Sequence, residues 1–275
     1  MAILKIDVYA KTMNRTVTLQ VIAPLESLKP GQKLASLYLL HGVQGSFINW
    51  STATHAFRLL GGYNMKHNKK LAIIMPSGDN SFYHHAPDRS ADYERFIGEE
   101  LVQLTRTMLP LSAAREDTCI AGLSMGGYGA LRTGLLYPQV FGFAGGLSSA
   151  LLTQDMENQI HEDVFFRRRE FLTTTFGCDL AKIGESEHDV MALSHRVPKE
   201  QLPKLYLACG EQDGLLPLSR ELHADWEKRG IVHRYEEHEG NHEWAFWEWG
   251  LGRMLDFYGE EENAQSAVEN GGNNG

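Results

Sequence analysis

The sequence predicts a doubly wound α/β fold: a mostly parallel sheet with an N-terminal antiparallel hairpin and a short helical insertion. Three observations point to it. Short apolar runs bounded by Gly, Pro or Asp recur along the 275 residues, as expected for strands covered on both faces. Helical periodicity fills the intervals between them. The chain also opens on another rhythm, apolar and polar residues alternating on both sides of "KTMNR", which marks a β-hairpin.

In chain order, "LKIDVYAKTMNRTVTLQVIAP" supplies the hairpin. The runs "SLYLLHG" (36–42), "LAIIMPSG" (71–78), "TCIAGLS" (118–124), "FGFAGGLSS" (141–149), "KLYLACGEQD" (204–213) and "VHRYEEHEG" (232–240) supply the later strands. "DYERFIGEELVQLTRTMLP" (92–110) predicts a helix capped by Asp92 and stopped at Pro110. "GYGALRTGLLYP" (127–138) and "LSRELHADWEKRG" (218–230) predict two more. Residues 151–200 break the rhythm and read as a mostly helical insertion, a lid candidate in which Phe165 and Phe166 suit either a core or a substrate wall. Residues 1–259 are thus expected to form a single domain, and the polar end, 260–275, a disordered tail.

Composition narrows the function. A formal charge of -9 disfavours nucleic acid and anionic membranes as partners, and the triplet Arg167, Arg168, Arg169 reads as a solvated face. The start "MAILKIDVYA" lacks a basic region followed by a long apolar run, and three cysteines, Cys119, Cys178 and Cys209, cannot all pair. A cytoplasmic protein with inert core thiols at Cys119 and Cys209 is expected.

The motif that carries chemistry is "GLSMG", with Gly122, Ser124 and Gly126 in G-x-S-x-G register. The bare pattern is moderately specific, but here it ends an apolar strand and opens a helix, the setting of a nucleophile elbow. The serine needs a strained backbone, and side chains two residues either side would collide with it. A hydroxyl also needs a base, and the base an orienting acid. In the order Ser, acid, His, these are Asp213, with Glu211 as competitor, and His242. An oxyanion would be held by the amide of Met125, at a helix start, and by that of Val43, in the loop after "LYLLHG". Gly42 lets the backbone approach the substrate, while His41 reads as a structural hydrogen-bonder. Trp50, Phe82, Tyr83, His84 and His85 follow predicted strands, where an open sheet places its crevice; Trp50 and Tyr83 are candidate substrate walls.

Near the end, His238 to His242 spell H-E-x-x-H. A zinc site would require these five residues on one helix, yet Gly240 and Asn241 follow a predicted strand. His242 is therefore assigned to Ser124 and Asp213, and no metal or other cofactor is expected. The aromatic run "WAFWEW" then reads as the apolar face of a helix anchoring the loop, with Trp244 nearest the site. A non-catalytic binding protein on the same fold would need one of the three residues missing.

The segments "LYLLHGVQGSFINW", "MPSGDNSFY", "GLSMGGYGAL", "LPKLYLACGEQD" and "GNHEWAFW", with their spacing, resemble the tributyrin-esterase branch of the esterase D superfamily over about residues 1–258. The resemblance implies an α/β-hydrolase fold, a triad of Ser124, Asp213 and His242, and hydrolysis of short-chain acyl esters, acetyl to butyryl. Related branches include acetyl-sugar and feruloyl (cinnamoyl) esterases, acyl-transferring mycolyltransferases and S-formylglutathione hydrolases. The last usually carry a G-H-S-M-G elbow and a differently written oxyanion loop, from which Leu123 and "HGVQGS" respectively depart. The implied partner is a small-molecule ester, carbohydrate- or phenolic-linked in some branches, and a homo-oligomer is compatible with this reading.

Overall fold

The opening hairpin pairs β1 (Ala2–Ala10) with β2 (Arg15–Ala23) in antiparallel register, Ala2 opposite Ala23 and Ala10 opposite Arg15. The "KTMN" turn closes with the Asn14 amide donating to the Lys11 carbonyl at 3.2 Å, and Asn14 takes the left-handed conformation that turns favour (φ 49°). The computed structural model describes the chain apart from residues 86–90, 153–155, 178 and 272–275 and the side chains of 185 and 261–271. Cys178 thus lies outside the described residues.

Six further strands follow: β3 (Ala35–Leu40), β4 (Leu71–Pro76), β5 (Thr118–Leu123), β6 (Phe143–Leu147), β7 (Lys204–Gly210) and β8 (His233–His238). The eight-stranded sheet runs β1-β2-β4-β3-β5-β6-β7-β8, parallel from β4 onward. Alternate residues of one strand enter opposite layers, as the strand period of two requires. Tyr38 and Leu40 join one core, and Leu37 and Leu39 the other. Burial on both faces is why the central strands are apolar without interruption.

The helices are α1 (Asn49–Ala53), α2 (Ala56–Lys66), α3 (Tyr93–Arg95), α4 (Leu101–Met108), α5 (Met125–Leu136), α6 (Arg169–Phe176), α7 (Val190–Ser194), α8 (Leu216–Arg229) and α9 (Trp244–Gly271). The helix expected over 92–110 is a composite. Asp92 caps it by accepting from the Arg95 amide, as anticipated, but a π-helical turn at Phe96–Glu100 separates α3 from α4. Gly98 lies in that turn against Tyr137, whose ring leaves no room for a Cβ. The helix stops at Met108 because Leu109, before Pro110, is extended (φ -125°, ψ 154°).

Residues 151–200 contain short helices of one or two turns besides α6 and α7, including Met156–Gln159, Phe165–Arg167 and Leu180–Glu185. Leu172, Phe176, Ile183 and Val190 from this stretch are buried in the core that holds α5. At the other end, α9 carries the backbone beyond residue 260 to Gly271, into the segment expected to be a disordered tail. No helix among the described residues is long and apolar enough to cross a membrane. Burial pushes the Cys119 thiol up to about 12 and the Cys209 thiol to about 11, which keeps both protonated and inert.

Candidate active site

Strand order reverses between β3 and β5, and the loops leaving the carboxyl ends of β3, β5, β7 and β8 meet on one side of the sheet, where an open α/β sheet binds its ligand. Ser124 occupies the turn from β5 into α5 with φ 53° and ψ -119°, a costly conformation for a residue with a Cβ. The flanking glycines answer a steric need. A Cβ on Gly126 would lie 2.6 Å from the carbonyl oxygens of both Leu40 and His41, and one on Gly122 would lie 2.8 Å from the Leu40 oxygen. These neighbours are backbone and cannot swing aside.

Three of the expected residues form one hydrogen-bonded chain. His242 Nε2 lies 3.0 Å from Ser124 Oγ, and His242 Nδ1 lies 2.8 Å from Asp213 Oδ2. Asp213 Oδ1 also accepts from the Leu215 amide at 2.9 Å. Burial alone would raise the Asp213 pKa, but the His242 and Leu215 donors hold it below its usual value. The carboxylate thus stays charged beside His242. Glu211, the competing acid, is exposed, and its amide bonds to the His238 carbonyl.

The acid and base loops are tied to each other. Gln212 accepts from the Gly240 amide through Oε1 at 2.7 Å, and its own amide donates to the Gly240 carbonyl at 3.0 Å. The two backbones pack so closely that a Cβ on Gly210 would lie 2.8 Å from the Gly240 carbonyl carbon.

The loop after β3 brings a second backbone segment against the serine. A Cβ built on Gly42 would stand 3.3 Å from Ser124 Cβ. The Gly42 carbonyl is turned away, accepting from His41 Nδ1 at 2.7 Å and from the Gly45 amide at 3.2 Å. In a trans peptide the following N–H points opposite to the carbonyl, so the Val43 amide faces away from those two donors. It has no acceptor among the described residues. Met125, the first residue of α5, has an amide without an intrahelical partner. His41 is structural as expected: buried, it accepts the Gly78 amide at Nε2 (2.8 Å) and carries its proton on Nδ1.

Two substrate-wall expectations, and the placing of Trp244 nearest the site, need correction. Trp50 is buried with its indole N–H donating to the Leu40 carbonyl at 2.9 Å. Tyr83 is also buried and donates to the His41 carbonyl at 3.0 Å, its ring pressed against Gly129 of α5. Both are braces beneath the loop, because each polar tip finds a backbone acceptor inside the protein. Trp244 packs edge-on against Trp50 and Trp247, and it is Trp247 that meets the His242 ring, centroids 4.9 Å apart at 89°. The H-E-x-x-H residues do not share a helix: His238 ends β8 and stacks on Trp249, and Gly240 has φ 147°.

A cavity of about 380 Å³ opens over Ser124, Asp213 and His242. Val43, Phe82, Leu215 and Leu218 contribute to its wall, and the 151–200 stretch adds Leu151, Leu152, Met156, Gln159, Phe166, Arg167 and Leu172. Phe166 therefore faces the cavity, while Phe165 is largely exposed and packs on Phe171. In the sequence Phe82 is one of several residues after a strand, and Leu215 and Leu218 carry no signal beyond following Asp213.

Comparison with known proteins agrees with this geometry. The Esterase family model, described as "Putative esterase", matches residues 10–258. The chain belongs to this esterase family. It is a carboxylic ester hydrolase on an α/β-hydrolase fold. An acetyl esterase of Caldicellulosiruptor saccharolyticus is 36% identical over 265 residues, covering 90% of this chain and 94% of that protein. Substrate-bound FphF, a fluorophosphonate-binding serine hydrolase of Staphylococcus aureus, is 25% identical with a TM-score of 0.80, over 94% of this chain and 98% of that one. An S-formylglutathione hydrolase from the same organism, as apoenzyme, is 25% identical with a TM-score of 0.77 over the same shares.

Proposed function

We propose that this esterase hydrolyses short-chain acyl esters, acetyl to butyryl, through an acyl-enzyme on Ser124. The observation that carries the proposal is the chain from Ser124 Oγ through His242 to Asp213, at 3.0 and 2.8 Å, set on a strained elbow. In this reading His242 Nε2 takes the serine proton as Oγ attacks the ester carbonyl. The Val43 and Met125 amides receive the oxyanion. The imidazolium, steadied by Asp213, then protonates the departing alcohol, and water activated by the same histidine releases the acid.

The short-chain preference is supported by the bounded cavity and by likeness to the acetyl esterase. Ser124→Ala is expected to lower p-nitrophenyl acetate hydrolysis by about 10⁴-fold or more while the protein stays folded. A variant as active as the parent would sink the proposal. Across acyl lengths, acetate and butyrate esters should be cleaved far faster than palmitate, and equal rates would remove the chain-length claim while leaving the serine mechanism standing.

A further inference from the structure

We propose that Arg167 makes this esterase selective for esters bearing a carboxylate at a distance from the scissile bond, an inference that rests on the ester-hydrolase reading above. The arginine triplet divides in the structure. Arg168 Nε donates to the Glu162 carbonyl at 2.8 Å, and Arg169 holds Glu157 with two bonds of 2.9 and 2.5 Å. Arg167 alone lines the cavity over Ser124, is only half-exposed, and among the described residues has no acceptor for its guanidinium. Its backbone is well anchored, the amide donating to the Val164 carbonyl at 2.8 Å and the carbonyl accepting from the His161 amide at 3.0 Å.

The surroundings make that isolation informative. In a chain with 35 acidic residues and 26 basic ones, an unpaired cation is not for want of carboxylates. The remaining wall is dominated by Leu151, Leu152, Met156, Phe166, Leu172 and Leu218. The one carboxylate there, Asp213, is already engaged by His242 and the Leu215 amide. Half-exposed, the Arg167 side chain is solvated by water in the free enzyme, and a ligand carboxylate entering the cavity can replace that water. The planar fork of the guanidinium matches a carboxylate with two parallel bonds. The substrate class is therefore an ester with an apolar spacer and a carboxylate, placed on either the acyl or the alcohol half.

The test compares each carboxylate ester with its methyl-capped, uncharged counterpart. Mono-p-nitrophenyl adipate places the anion on the acyl half, and 4-(butyryloxy)benzoate places it on the alcohol half. The wild-type enzyme should favour one of the two over its capped form by about 10- to 100-fold in kcat/KM, the scale of a charge-assisted hydrogen bond. Which pair shows the ratio identifies the half that meets Arg167. Arg167→Gln should bring that ratio near one, Arg167→Glu should reverse it, and Arg167→Lys should keep part of it, with thermal midpoints checking the fold. An enzyme that cleaves the capped esters without preferring either anion, or whose preference survives in Arg167→Gln, overturns this inference and leaves the esterase reading intact. An enzyme that cleaves none of these esters, p-nitrophenyl acetate included, would instead fault that reading.

Discussion

Asp213 is asked to be charged while almost wholly out of water, 4% exposed, and its hydrogen bonds to His242 and Leu215 make that possible. Asp213→Asn would keep the shape but replace an acceptor with an amide that can present N–H to His242 Nδ1, favouring the wrong tautomer. By analogy with other serine hydrolases, kcat should drop by about 10³- to 10⁴-fold with KM little changed, which steady-state kinetics on p-nitrophenyl butyrate would check. At this scale the serine, acid and base were legible because strand ends, glycine spacing and order in the chain all constrain them. The walls were less legible. Trp50 and Tyr83 follow strands as substrate-facing residues would, and only the carbonyls of Leu40 and His41 beside them show why they turn inward. Trp244 and Trp247 lie three residues apart on one helix, so the local pattern could not say which meets His242.

At the scale of elements, the site depends on a backbone crossing between the β3 loop and the β5 elbow. His41 connects it to the next strand's exit by bonding Gly42 and Gly78 at once. Burial lowers the His41 pKa, opposed by its Gly42 bond and the nearby Asp79 charge, in keeping with a neutral ring. His41→Phe would leave the Gly42 carbonyl with only the Gly45 amide and loosen the Val43 peptide, so kcat should fall about 10- to 100-fold, less than the full loss of an oxyanion donor. An unchanged kcat would mean the loop holds its form without the ring. Gly126→Ala probes the same crossing by overfilling it. With two carbonyl oxygens 2.6 Å from the added carbon, a destabilisation of about 3 kcal/mol or more is expected in urea denaturation. The hairpin and central strands were readable because each buries its faces in a periodic way. The 151–200 stretch was not, since single-turn helices such as Met156–Gln159 are too short to repeat a pattern.

For the whole molecule, that stretch is held to α5 by a polar node whose proton balance sets an acid limit on stability. Buried Arg132 pairs with Glu94 at 2.7 Å and donates to the Glu187 carbonyl at 2.9 Å, while Tyr128 donates to the His188 carbonyl at 3.0 Å. Burial alone would raise the Glu94 pKa, but the His84 ring, 3.7 Å away, and the Arg132 charge bring it down to about 2. Burial, with the charges of His84 and Arg132, pushes His188 down to about 3. The unfolded chain titrates at roughly 4.3 for Glu and 6.5 for His. Between about pH 6.5 and 3 the unfolded state therefore holds a proton on His188 that the folded state refuses. Below about pH 4.3 the same becomes true of Glu94. Both groups bind more protons when unfolded, so stability falls as pH falls, by up to about 1.4 kcal/mol per pH unit for each proton. His188→Gln should flatten the decline between pH 6.5 and 5 while leaving the Tyr128 bond to the backbone in place, whereas Glu94→Gln should lower stability near neutrality by breaking the Arg132 pair and flatten the decline only below about pH 4.5. Urea midpoints at pH 7, 6, 5 and 4 would read both effects, and a His188→Gln protein that loses stability as steeply as the parent between pH 6.5 and 5 would remove His188 from the account.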